Sequence, residues 1–385
     1  MSAEPGTAVG PQLGGAAGRR PTWLEGFYDL VFAFAVTELA GRLARDASPA
    51  GVAGFVFLFI SVWWAWVGTT VYFDRFDRGQ RWLRLAVGAQ LLAVAALAVH
   101  VDDALGSGSR DFAIAYALIR LVLVGLYWEV RRRQDGHGQS IASHYAVGFA
   151  AAAAIWLVSA LVPAPARFGV WAVAMVVDYA TPLTARHLQQ RVQLDPSHLP
   201  ERFGLFTLIV LGESIAASAG SLAGRRWDVA AASGGALGVA AAFGIWWSYF
   251  DHLERAPVRR TRLAGQVWFY CHLPFLMAMT ALAIGIREVI AGSDAGRTVA
   301  AVAAVLTLLF VAAVRLTAVE SRREAASLTV GTLVGALVAS TAWITTTADM
   351  ALAAVAVACA LPGAATELTA RWPRARIETA NETGG

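Results

Sequence analysis

Lysine is absent from this chain: all 31 basic residues are arginine. Charge as a whole is scarce, 15% of 385 residues, while hydrophobic residues make up 57%. A soluble domain averages about 25% charged, and even a large one keeps most charged positions at its surface. An ordinary cytosolic enzyme, a disordered chain and a collagen-like fibre are therefore excluded. Cysteine is nearly missing. Cys271 and Cys359 both lie inside apolar runs, which excludes a disulfide scaffold. There is no Walker loop, no strand-bound Gly-x-Gly-x-x-Gly, no Cys-x-x-Cys and no His-Glu-x-x-His. Leu211-Gly212-Glu213-Ser214-Ile215 lacks the Gly-x-Ser-x-Gly elbow, and Ser214 has no base nearby in sequence. The basic segments are short and dispersed, which argues against a nucleic-acid partner. Membrane topology and anionic lipid account for the net charge of +4.

What the chain has is long apolar runs without period-2 alternation, the pattern of membrane helices. Twelve spans are expected, near 27–43, 51–72, 83–101, 111–128, 143–162, 166–183, 204–222, 229–250, 267–286, 299–316, 327–347 and 350–364. The arginines check that count. Segments outside the spans, taken with the span ends that border them and numbered from the N-terminus, place 22 arginines in the odd set and 8 in the even set, with Arg120 in mid-span. By the positive-inside rule the odd side is cytoplasmic, so both termini are expected on the cytoplasmic side. Residues 1–22 read as a disordered cytoplasmic tail and 371–385 as a second one.

The chain also resembles itself. Glu25-Gly26-Phe27 and Glu201-Arg202-Phe203 stand 176 residues apart at the entries of spans 1 and 7. Tyr72-Phe73-Asp74 and Tyr249-Phe250-Asp251 stand 177 apart, and Arg84-Leu85-Ala86 and Arg262-Leu263-Ala264 stand 178 apart. Six spans per half give both halves one orientation. The expected fold is all-α, with six-helix membrane repeats over 23–190 and 191–370 and a cavity between them. The same anchors carry a family likeness. Trp23-Leu24-Glu25-Gly26-Phe27-Tyr28-Asp29-Leu30-Val31-Phe32 with Thr37, and His198-Leu199-Pro200-Glu201-Arg202-Phe203-Gly204-Leu205-Phe206 with Leu211-Gly212-Glu213-Ser214, resemble the bacterial low temperature requirement A family. So do Arg75-Phe76-Asp77 and the Trp246-Trp247 pair. The likeness covers roughly Trp23 to Leu361. Glu38 departs from it, standing where the family usually has an amide. The resemblance implies a bacterial multi-pass inner-membrane protein linked by name to growth in the cold.

A charge at mid-bilayer costs about 2.5–3.5 kcal/mol, so ionisable residues in spans face protein and are functional candidates. They are Asp29 and Glu38 in span 1, Arg120 in span 4, Asp178 in span 6, Glu213 in span 7 and His272 in span 9. The functional reading is a proton or cation pathway. The structural reading is ion pairing, for example Arg120 with Glu213 or Glu38, and a simple interhelical hydrogen bond for His272. Glu25, at i, i+4 from Asp29, has a helix-dipole contact as its plain explanation. The link Asp195-Pro196-Ser197-His198-Leu199-Pro200-Glu201 places His198, Glu201 and Arg202 at the cytoplasmic face, where they form a candidate gate.

Asp74 with Asp77 and Asp251 with Glu254 occupy matching ends of spans 2 and 8, each followed by arginines. Paired acids can hold Mg²⁺ and arginine forks grip diphosphate, as in membrane prenyltransferases and related cyclases. The plainer reading is short solvated turns. The leading expectation is transport of a proton, cation or small solute through a cavity lined by buried acids, with no cofactor. The alternatives are a Mg²⁺-dependent enzyme acting on an isoprenoid or other diphosphate lipid, and a membrane-homeostasis scaffold.

Overall fold

The computed structural model describes residues 20–77, 81–220, 229–253, 261–319, 321–345 and 347–382. Among these, all regular structure is helical. The first set is α1 Trp23–Arg45, α2 Pro49–Phe76, α3 Leu83–Val101, α4 Ser109–Arg133, α5 Gly136–Ser159 and α6 Ala166–Thr184. A short α7, Arg186–Gln189, precedes the link. The second set is α8 His198–Gly220, α9 Val229–Leu253, α10 Arg262–Ile290, α11 Asp294–Leu316, α12 Arg322–Thr341 and α13 Ala348–Glu382. Each expected span overlaps one long helix, in order, and α3 has the expected 83–101 bounds. Two features were not foreseen. The four-residue α7 is an addition, and α13 continues far past 364 into the stretch read as a tail.

Hydroxyl side chains start several helices by accepting otherwise orphaned backbone N–H bonds. Thr22 accepts from Glu25, and Ser48 accepts from Gly51 with Pro49 in the first turn. Thr261, Ser293 and Ser321 do the same for α10, α11 and α12. Among the described residues, eight helices are long and apolar enough to cross a membrane: α2 to α5 and α10 to α13. α1 is not one of them. It carries Glu25, Asp29, Glu38, Arg42 and Arg45, and it packs against protein with Tyr28, Phe32, Val36 and Leu39 buried.

Neighbour relations recur in the two sets. The first helix of each set packs on the second and third, and the third, fourth, fifth and sixth pack in sequence. The sets meet where α1 and α2 contact α8 and α10. Large rings fill the first set, with Trp63, Trp66, Trp156, Trp171, Tyr116 and Tyr127 buried. Trp64 stacks on Tyr179 of α6 at 3.8 Å between centroids.

Candidate functional site

The charged residues gather at the seam between the two sets. His198, in the first turn of α8, is fully buried. Its Nε2 lies 2.9 Å from Glu25 Oε2 of α1, and its Nδ1 lies 2.9 Å from Asp74 Oδ1 of α2. The other Asp74 oxygen accepts the Asp195 backbone N–H at 2.8 Å. One turn further along α8, Arg202 donates from Nη2 to Asp29 Oδ1 at 2.7 Å, and its Nη1 lies 3.8 Å from Glu25. Trp66 Nε1 donates to the same Asp29 oxygen at 2.7 Å. Trp66 stacks on Phe206 and meets Phe203 edge-on, and the Arg202 guanidinium sits over Phe73. These rings keep water away, so the ionic contacts act at low dielectric.

A third contact lies deeper. Thr37 on α1 donates to Glu213 Oε2 on α8 at 3.0 Å. The pairs Glu25–His198, Asp29–Arg202 and Thr37–Glu213 climb both helices together, so α1 and α8 run parallel across the seam. Glu213 is half-buried and stands eleven residues past Arg202, about 16 Å along the helix. Glu38 is half-buried beside Thr37 on α1, and Glu201 is exposed.

The link that feeds α8 is organised by Asp195. Its Oδ1 accepts from the Ser197 hydroxyl at 2.6 Å and from the Ser197 and His198 backbone N–H groups at 2.8 and 3.2 Å. Partial burial opposes ionisation of Asp195, but these bonds outweigh it and hold its carboxyl below the usual aspartate range.

Two other residues are accounted for by packing. Arg120 pairs with Asp178, not with Glu213 or Glu38: its Nε donates to Asp178 Oδ2 at 2.7 Å. Tyr116 completes the triangle, accepting from Arg120 at 2.8 Å and donating to Asp178 at 3.0 Å. The partner differs because α4 and α6 flank the same interior while α8 lies across the seam. His272 touches the Trp268 carbonyl oxygen with Nδ1 at 2.6 Å and the Tyr249 hydroxyl with Nε2 at 2.8 Å. A carbonyl only accepts, so Nδ1 carries a proton, and in a singly protonated ring Nε2 accepts from Tyr249.

The paired acids behave differently from the solvated turns expected. Asp74 lies within α2 and is buried, with both oxygens engaged at the seam. Asp77 is the C-cap residue of α2, half-buried. Asp251 lies within α9, its side chain outside what is described, and Glu254 is outside the described residues altogether. Among the described residues, no group of three or more His, Cys, Asp or Glu is placed to hold a metal.

The sequence alone points to Asp29 as a pathway acid, to Asp74 as a metal ligand and to His198 with Arg202 as a gate. The structure brings them together. It adds Glu25, which was read as a dipole contact, and Trp66, whose indole N–H carried no sequence signal. A groove of about 600 Å³ opens elsewhere, between α5 and α6, lined by Ser140, Ser143, His144, Val147, Thr181 and Thr184. Beside Ser214, the space among α8, α9 and α10 is only about 10 Å³.

Residues 20–365 match the family described as Bacterial low temperature requirement A protein (LtrA). A Rhizobium meliloti (strain 1021) protein, described as uncharacterized protein RA0937, is 28% identical over 282 residues, 67% of each chain. The match spans both helix sets and every residue of the seam cluster, and the chain belongs to the bacterial low temperature requirement A family of membrane proteins.

Proposed function

We propose that this chain is a transporter of the bacterial inner membrane, with both termini cytoplasmic. A small ion or solute moves along the seam between its two six-helix halves. The observation that carries the reading is the parallel α1–α8 pair, polar at three successive depths across the seam. Burying Glu25, Asp29, Asp74, His198 and Arg202 in one place is costly unless each is well paired, and breaking a buried pair costs about 3–5 kcal/mol. A scaffold in lipid can obtain adhesion from close backbone approach, without burying charge. A cluster of this kind suits a contact that must form and release. It is the gate at the arginine-rich end of the seam, and half-buried Glu213 is the acid the permeant ion meets beyond it.

The Mg²⁺ diphosphate-lipid reading draws no support from Asp74, whose oxygens are committed to His198 and the Asp195 N–H. The transport reading is tested in proteoliposomes carrying trapped reporters of H⁺, Na⁺ and K⁺, under imposed ion gradients. Wild-type protein is expected to carry at least one of these, and Glu213→Gln to reduce that flux about tenfold, the rate equivalent of 1.4 kcal/mol. Flux in Glu213→Gln equal to wild type would remove Glu213 from the pathway. Absence of any flux above protein-free liposomes would remove ion transport.

A further inference from the structure

We infer that the gate is held shut by a single extra proton shared among His198, Glu25 and Asp74, and that the ion coupled to opening is therefore H⁺. This rests on the transport reading for its meaning but not for its test. The geometry is a matter of donors and acceptors. An imidazole with one proton donates from one nitrogen and offers a lone pair from the other. His198 meets a carboxylate oxygen at 2.9 Å on each side, Glu25 at Nε2 and Asp74 at Nδ1. Ionised carboxylates only accept. Both contacts are hydrogen bonds only when the site holds one proton more than a neutral ring between two carboxylates. That proton rides on the ring, giving an imidazolium, or on a facing carboxyl.

The surroundings set the sign. α1 presents Glu25 and Asp29, α2 presents Asp74, the link presents Asp195, and α8 itself presents Arg202. α9 and α10 bring Tyr249 and His272, which are hydrogen-bonded to each other, and the His272 ring meets Phe203. Side chains over 251–260 and at 262 lie outside the described residues. Arg202 is committed to Asp29 at 2.7 Å and approaches Glu25 only at 3.8 Å, so it does not replace the extra proton between Glu25 and Asp74. When that proton leaves to water, a ring lone pair faces a carboxylate with no hydrogen between them. The contact then repels, and it joins elements of the two halves 124 and 173 residues apart in sequence. Protonation therefore closes the gate and deprotonation opens it.

Glu25→Gln separates this device from a plain ion pair. The amide that the substitution introduces donates to a neutral Nε2 while Nδ1–H donates to Asp74, so the lock closes without the extra proton. The experiment uses the full chain in lipid nanodiscs and follows backbone hydrogen exchange over 198–206 between pH 6 and pH 9, corrected for the intrinsic rise of exchange with pH. Wild type is expected to gain about tenfold or more in corrected exchange across that range, as a shift of one pH unit in a proton-linked equilibrium gives. Glu25→Gln is expected to stay flat at the low, closed value. A flat wild-type profile overturns the proposal, as does a Glu25→Gln profile that rises like wild type. If Glu25→Gln fails to fold, ¹⁵N-histidine spectra of wild type decide, with the His198 signal assigned by its loss in His198→Gln. A His198 resonance that is singly protonated at pH 6 and unchanged to pH 9, with no coincident change in exchange, overturns it equally. The transport reading fails separately, by absence of flux in liposomes while the exchange profile still responds to pH.

Discussion

The two helix sets share their order, but α9 packs closely on α13 where α2 makes no comparable backbone contact with α6, and the two sets hold themselves together differently. In the first set, contacts between helices run through long side chains: the Arg120–Asp178–Tyr116 triangle and the stacked Trp64 and Tyr179. In the second set, backbones meet. A Cβ on Gly244 of α9 would fall 2.7 Å from the backbone nitrogen of Ala360 on α13. One on Gly285 of α10 would fall 2.5 Å from that of Ala300 on α11, and one on Gly335 of α12 would fall 2.8 Å from the Ala358 carbonyl oxygen. Where a first-set glycine is crowded, as at Gly68, the nearest atom is instead the end of the Arg120 side chain, at 2.7 Å. Close backbone approach is a standard route to helix association in lipid, where apolar burial alone gives little. One architecture therefore rests on two kinds of glue. The first set keeps an arginine–aspartate pair in its interior, and it is α1 and α2 of that set that meet α8 at the ionic seam.

The largest effect is expected at Arg120. Arg120→Met leaves Asp178 buried with Tyr116 but without a countercharge, and should cost about 3–5 kcal/mol, whereas Arg120→Met with Asp178→Leu should recover most of that loss. Thermal or denaturant unfolding in lipid nanodiscs reads both. A single variant as stable as wild type would show that the pair contributes nothing to the first set. Next in size is Gly244→Val, which drives two methyl groups toward the α13 backbone and should cost about 1–3 kcal/mol by overpacking. Gly68→Ala is the matching first-set probe. It should cost less if Arg120 can move aside, and equal losses at the two sites would erase the distinction between the sets.

The smallest effect is expected at the link. Asp195→Ala removes the acceptor of two backbone N–H groups at the head of α8, a loss of about 1 kcal/mol for a helix-start contact. Because the Asp195 carboxyl titrates below the usual aspartate value, its contribution is complete above that value, about 3.9, and is lost as pH falls through the folded-state value. Amide exchange at Ser197 should thus lose protection as pH falls into acid. Protection unchanged from neutral pH through full protonation of Asp195 would contradict that assignment.

The helices were legible in the sequence because apolar length is a local property. The 83–101 window and α3 coincide, and twelve apolar runs became twelve long helices among the described residues. The reading stopped short at α13, where the apolar run ends but Glu367, Leu368 and Thr369 continue the helix. The site was legible only in parts. Asp29 and Arg202 each stood out as ions in unlikely places, yet their pairing depends on which helix faces meet across 173 residues of chain. Nothing local in either segment encodes that. Asp74 misled because an acid beside arginines at a helix end looks solvated. It is buried because the link folds back over it and places His198 and the Asp195 N–H on its oxygens.

The central claim is that the Asp29–Arg202 and Glu25–His198–Asp74 contacts close a passage between the halves. Asp29→Asn with Arg202→Gln removes both charges of one pair and leaves neither stranded. In proteoliposomes, this double variant, confirmed as folded by its size-exclusion profile, should leak H⁺, Na⁺ or K⁺ down an imposed gradient faster than wild type. A folded double variant as ion-tight as protein-free liposomes would contradict the account.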